Sequence, residues 1–175
     1  MLKNLLILGA GIESIEGYLR LKKFRCKIIV VDKDPKAPGL KYANTFIRAS
    51  IYNYSEILRN LKKKKLKIDG VISFGDVSYV ATKLCKHFKI NSIPLKSAKI
   101  TSDKLLFKKE MKDHFNIPYF KKITNLKQMT NLINKKKKFI IKPVDNCGAR
   151  GVIILDKKTD LNWAYNYCLK YSKKK

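Results

Sequence analysis

The first apolar run, Leu5-Leu6-Ile7-Leu8, is continuous rather than alternating, the pattern of a strand buried on both faces of a parallel sheet. It ends in Gly9-Ala10-Gly11, after which Ile15, Tyr18, Leu19 and Lys22 recur at helical spacing. Strand, glycine turn and helix follow in that order. Residues 27–31 repeat the strand pattern, and Asp32-Lys33-Asp34-Pro35 with Pro38-Gly39 closes it in a loop. Ile57, Leu58 and Leu61 predict a helix, residues 70–74 a third strand, and Val77, Val80, Ala81, Leu84 and Phe88 a further helix. Strands and helices alternating in this way specify a parallel sheet with helices on both faces and right-handed crossovers.

The pattern changes between Pro94 and Lys99. Phe107, Met111 and Phe115 at four-residue spacing predict a long amphipathic helix beginning near Ser102. The boundary is placed ahead of it, giving domains 1–96 and 97–175. Asn116-Ile117-Pro118 stops that helix, residues 119–123 predict a short strand, and Leu126, Met129, Leu132 and Ile133 mark another helix. The stretch "FIIKPVDNCGARGVIIL", Phe139 to Leu155, predicts two strands joined by a glycine loop. Leu161, Ala164, Tyr165 and Leu169 give a last helix.

Charge adds a constraint on partners. Lys and Arg number 40 against 13 Asp and Glu, a net charge of +27, which attracts polyanions without specificity. No zinc-finger, helix-turn-helix or aromatic RNA-binding signature accompanies it. Runs 62–65, 135–138 and 173–175 read as solvated lysines in loops and at a fraying end. The four cysteines, Cys26, Cys85, Cys147 and Cys168, are scattered and signal neither a zinc site nor a disulfide framework. No segment is long and apolar enough for a transmembrane helix. A reducing cytoplasm is the expected compartment.

Two glycine loops are candidates for anion binding. Gly9 and Gly11 lie between strand and helix, with Asp32 about 20 residues further on, the arrangement of a dinucleotide-binding turn. Ser14 stands where that fingerprint has its third glycine, so a tight structural turn competes with an NAD(P) or nucleotide-sugar site. The second loop, Asp145-Asn146-Cys147-Gly148-Ala149-Arg150-Gly151, joins strand to strand. Its anion-binding device must therefore be successive backbone N–H groups, to which Arg150 adds a charge. Cys147 fills a turn beside positive charge.

Two lysines point at the same chemistry. By alternation Lys142 shares a strand face with Ile140, opposite Phe139 and Ile141, so its stem is expected along a partly buried surface with the ammonium seeking an anion. Lys104 follows Ser102 and Asp103 at a helix start, where the dipole disfavours a cation by about 0.3–1 kcal/mol. A phosphate would remove that cost, and so would Asp103.

Several stretches together resemble the ATP-grasp superfamily, in particular the carbamoyl-phosphate synthase-like carboxylate–amine ligases. Residues 5–11, "VVDKDPKAPGLKYAN" and "IDGVISFGD" look like the Rossmann-like domain that precedes the grasp fold. "TSDKLLFKKEMKDHFNIPYF" looks like the opening helix of the grasp domain, and "FIIKPVDNCGARGV" like its phosphate-loop hairpin. The implied fold class is α/β: a Rossmann-like parallel-sheet domain, then the first α+β subdomain of an ATP-grasp fold. The resemblance implies that Lys104 and Lys142 hold ATP phosphates under a lid formed by Asn146, Gly148, Ala149, Arg150 and Gly151 with their neighbours. It also implies that Gly9, Gly11, Gly75 and Asp76 serve a small carboxylate substrate, although a turn and helix cap explain Gly75 and Asp76 as well. ATP-driven formation of an acylphosphate, displaced by an amine, is the implied reaction. The Mg²⁺ ligands and adenine hinge of the family are expected beyond Lys175, so the chain alone is expected to catalyse poorly. Homodimerisation stays open.

Overall fold

The computed structural model describes residues 2–133 and 138–172. It divides into two compact units, Met1–Ser102 and Asp103–Lys175; the sequence places the division at 96/97. The lysines at 135–137 and 173–175 lie outside the described residues.

In the first unit β1 (Lys3–Leu8), β2 (Cys26–Asp32), β3 (Thr45–Arg48) and β4 (Gly70–Ser73) form one parallel sheet in the order β3-β2-β1-β4. Helix α1 (Ile15–Leu21), α2 (Tyr54–Lys63), α3 (Ser78–His87) and α4 (Leu95–Thr101) complete it. The continuous apolar run of β1 is explained by packing on both faces. Leu6 and Leu8 join Ile29, Val31, Ile47, Ile57, Leu61 and Leu84 in one core, while Ile7 packs with Ile28, Val30 and Tyr18 in the other. Burial of side chains of this size contributes about 1.5–3 kcal/mol each.

β3 is a strand that the apolar pattern did not disclose. Its four residues, Thr45 to Arg48, are too few to show a period, and it exists because it pairs with Ile29 to Asp32. The lysines at 62–65 are exposed, but Lys62 and Lys63 close α2 rather than belonging to a loop, a favourable place for cations at a helix C-terminus.

The second unit holds α5 (Lys104–Met111), α6 (Leu126–Ile133), the antiparallel pair β5 (Phe139–Ile141) and β6 (Ile153–Leu155), and α7 (Leu161–Lys170). Phe139, Ile141, Ile153 and Leu155 turn inward to Met129, Ile133 and Ala164. Two expectations fail here. The long helix from Ser102 is replaced by α5 alone, eight residues that start after Asp103, whose extended backbone and carboxylate cap Leu105 and Leu106 N–H, and that end at Met111 in a turn over 112–114; Phe115 is left 64% exposed. Residues 119–123 are not a strand, since among the described residues no strand ladder includes them.

At the sheet's C-terminal edge, Tyr18 is fully buried and its hydroxyl donates to Gly9 O at 2.8 Å. Burial, then the charge of Asp32, raises its pKa above the usual 10.0. The folded state thus keeps a proton that the unfolded chain releases, so this contribution is complete below about pH 10 and falls as pH rises further. Tyr18→Phe is expected to cost about 1–3 kcal/mol at neutral pH by orphaning the Gly9 carbonyl. Urea denaturation at pH 7 and at pH 10.5 should show the gap between wild type and variant narrowing at the higher pH.

Candidate phosphate-binding loop

Construction of the second unit's loop begins at Asp103. Its carboxylate accepts from Leu105 N at 3.0 Å and from Leu106 N at 2.9 Å, which fixes Lys104 as the first helical residue. Lys104 then bonds the hairpin loop twice. Its backbone N–H donates to Val144 O at 2.8 Å, and its Nζ donates to Asn146 O. The two residues, 42 positions apart in sequence, are joined by that bond.

Within the loop Gly148, Ala149 and Gly151 have φ of +67°, +55° and +74°, whereas Arg150 does not cross to positive φ. Changes of backbone hand turn successive N–H groups toward one side, the geometry of anion-binding concavities. Among the described residues Gly148, Ala149, Arg150 and Gly151 form a turn whose N–H groups donate no well-formed backbone hydrogen bond. Arg150 folds back, its Nε donating to Cys147 O at 3.4 Å. A Cβ on Gly151 would lie 2.8 Å from Pro143 Cγ and 3.1 Å from Tyr171 Cβ, so only glycine fits between them.

Lys142 directly follows β5 and is exposed. This corrects the expectation of a partly buried stem: the hairpin face it continues is open, with Ile140 61% and Ile154 66% exposed. Among the described residues Lys142 has no hydrogen-bond or ion-pair partner, and no bond joins it to Lys104.

Sequence reasoning missed the loop's anchors. Asn146 Nδ2 donates to Tyr171 O at 2.8 Å, and Ser172 Oγ donates to Asp145 Oδ1 at 3.2 Å. Nothing in the sequence pairs positions so far apart. Cys168, behind the loop, has its thiol pKa pushed up to about 11 by burial first and the charge of Asp145 second, so it stays protonated at neutral pH. Asp156 is a turn residue. Its carboxyl is held below the ordinary range by hydrogen bonds from the Thr159 hydroxyl and the Lys158 N–H. Among the described residues no three His, Cys, Asp or Glu side chains form a group able to hold a metal ion.

In the first unit, pairing of Leu8 with Ser73 brings Gly9–Gly11 and Gly75–Asp76 to neighbouring strand ends. Since β2 and β4 flank β1 on opposite sides, this is the point where strand order reverses and ligands of α/β sheets bind. Asp76 is exposed and does not cap α3, whose cap position is Val77 with no side-chain bond. The dinucleotide alternative fits poorly. Asp32 spends one oxygen on Ala10 N at 2.8 Å and the other on Asp34 N at 2.9 Å, and the Glu13 carboxylate lies where a Cβ on Gly11 would be, a negative charge in the path of a pyrophosphate. Among the described residues no helix is long and apolar enough to cross a membrane.

Residues 101–171 match the family model of the ATP-grasp domain, and the chain resembles the N-terminal portion of ATP-grasp proteins. Among relatives, it is 26% identical over 179 residues to the formate-dependent phosphoribosylglycinamide formyltransferase of Prochlorococcus marinus, spanning 96% of this chain and 44% of the relative. Two solved structures share the fold. The N5-carboxyaminoimidazole synthetase of Staphylococcus aureus complexed with ADP superposes with a TM-score of 0.73 at 17% identity, covering 97% of this chain and 45% of that one. The L-amino acid ligase of Bacillus licheniformis gives 0.74 at 15%, covering 94% and 41%. The chain therefore spans less than half the length of these relatives.

Loop geometry separates two neighbouring substitutions. Gly151→Ala is expected to lose about 1–3 kcal/mol, from positive φ and collision with Pro143. Ala149→Gly, which relieves positive φ but adds unfolded-state entropy, should change stability by under about 1 kcal/mol. Urea denaturation of both variants checks the order.

Proposed function

We propose that this chain supplies the phosphate-holding part of an ATP-dependent carboxylate–amine ligase. One observation carries the reading: among the described residues four consecutive N–H groups, those of Gly148 to Gly151, donate no well-formed backbone hydrogen bond, in the loop to which Lys104 is bonded. Backbone N–H groups and an ammonium are the donors that a polyphosphate needs. The structures that share the fold, a synthetase complexed with ADP and an amino acid ligase, support the same chemistry.

In this reading Lys104, Lys142, Arg150 and the backbone of residues 145–151 hold and neutralise the terminal phosphates. The loop closes over them and keeps water from the reacting centre. The terminal phosphoryl group moves to a carboxylate oxygen of the substrate. An amine nitrogen then attacks the acyl carbon, phosphate leaves, and the amine loses a proton. In the first unit by itself, Gly9, Gly11, Gly75 and Asp76 lie at the strand-order reversal, where the Glu13 carboxylate suits an amine better than a carboxylate. Mg²⁺ would neutralise phosphate charge when bound, but the described residues supply no cluster of ligands for it, and we route no step through it. The chain spans under half the length of its relatives, and nucleotide binding is the part of the reaction assigned to these residues. The net charge of +27 adds unspecific, salt-sensitive attraction for polyanions.

The test is calorimetric titration with ATP. Lys104→Met and Lys142→Ala should each weaken binding about 10- to 100-fold, the worth of a charge-assisted bond of about 1.5–3 kcal/mol. Gly11→Val should leave ATP affinity unchanged. Equal affinity in wild type and both lysine variants would sink the assignment, and saturable NAD binding lost in Gly11→Val would favour the dinucleotide reading instead.

A further inference from the structure

We infer that Asn146 is a positioning residue, whose side chain shapes the phosphate loop from behind instead of touching the phosphates. The inference rests on the reading above and reassigns a residue that the family resemblance placed among the ligand contacts. Both ends of the Asn146 amide are committed within the protein. Nδ2 donates to Tyr171 O at 2.8 Å, and Oδ1 accepts from Cys147 N at 2.9 Å. Its main-chain oxygen accepts from Lys104 Nζ. One residue thus joins the start of α5, the first turn of the loop and the end of α7.

Each bond has a physical reason. Tyr171 occupies the C-cap of α7, where carbonyls lack helical partners, and the Asn146 amide satisfies one of them. The bond to Cys147 N–H sets the direction in which the chain enters the loop, just ahead of the four unspent N–H groups. The bond from Lys104 sets where the ammonium stands relative to those groups. On the far side Gly151 packs against Tyr171 Cβ, and Asp145 accepts from Ser172 Oγ at 3.2 Å. Both ends of the loop are therefore fastened to Tyr171 and Ser172, and residues 147–150 span the gap. A loop held in this shape before binding loses less conformational entropy when phosphate arrives.

The experiment has two readouts on the 175-residue chain. In amide hydrogen exchange without nucleotide, Asn146→Ala should speed exchange of the Lys104 and Val152 amides, whose N–H groups are bonded to Val144 O and Ala149 O, at least tenfold, with α6 and the first unit unchanged, showing that the variant is folded. Asn146→Asp keeps an acceptor for Cys147 N–H and loses the donor to Tyr171 O, so it should speed the loop less. In titration with ATP, Asn146→Ala should weaken binding about tenfold. Combined with Lys104→Met, the loss should be smaller than the sum of the two, because one acts through the other. Unchanged loop exchange in Asn146→Ala overturns the inference, and so does full additivity with Lys104→Met. If wild type fails to bind ATP, the phosphate reading falls and takes the purpose of the positioning with it. The exchange comparison still decides whether Asn146 holds the loop.

Discussion

Lys104 is held by the hairpin loop through both its backbone N–H and its ammonium, and the organisation of the second unit depends on that double attachment. A lysine in the first turn of a helix meets the positive end of the helix dipole, a modest cost that Asp103 offsets by capping the same turn. The attachment explains why α5 starts where it does. A helix begun at Ser102 would place residue 103 in helical backbone, and the Asp103 carboxylate could no longer bond Leu105 and Leu106 N–H. Cap, lysine and loop are thus one arrangement, assembled from segments about forty residues apart.

How far the sequence disclosed this depends on whether the signal was local. The hairpin was legible because alternation carries its own register: Phe139 and Ile141 turn inward and Ile140 outward, as their spacing requires. The buried strand β1 was legible because it is apolar throughout. β3 was not, since four residues paired with β2 form a strand only through that pairing. Conversely, residues 119–123 have strand-like composition and no neighbouring strand among the described residues. The spacing of Phe107, Met111 and Phe115 read as one helical face, yet Phe115 lies beyond the end of α5 and is largely exposed. Periodicity reports what a segment would do alone, and caps and partners decide where it stops. In the site, Lys104 and the loop could be named from residue types, whereas Tyr171 and Ser172 act through a backbone carbonyl and a hydroxyl that no pattern marks.

The two glycine loops show why residue type alone does not make an anion site. In the first, Gly9 N–H is taken by Val31 O and Ala10 N–H by Asp32, the Gly9 carbonyl receives the Tyr18 hydroxyl, and the Glu13 carboxylate lies across Gly11. Two donors are consumed, and those that follow, from Gly11 to Glu13, stand beside a negative charge. In the second, glycines and one alanine hold the chain at positive φ, the neighbouring residues are lysine and arginine, and four N–H groups are unspent among the described residues. The difference lies in the charge beside the donors that backbone bonding leaves over. A turn whose remaining donors stand beside a carboxylate repels an anion. One that leaves them directed outward beside an ammonium requires water or an anion to finish it, and an anion with several oxygens can satisfy several of those donors at once while also balancing the charge.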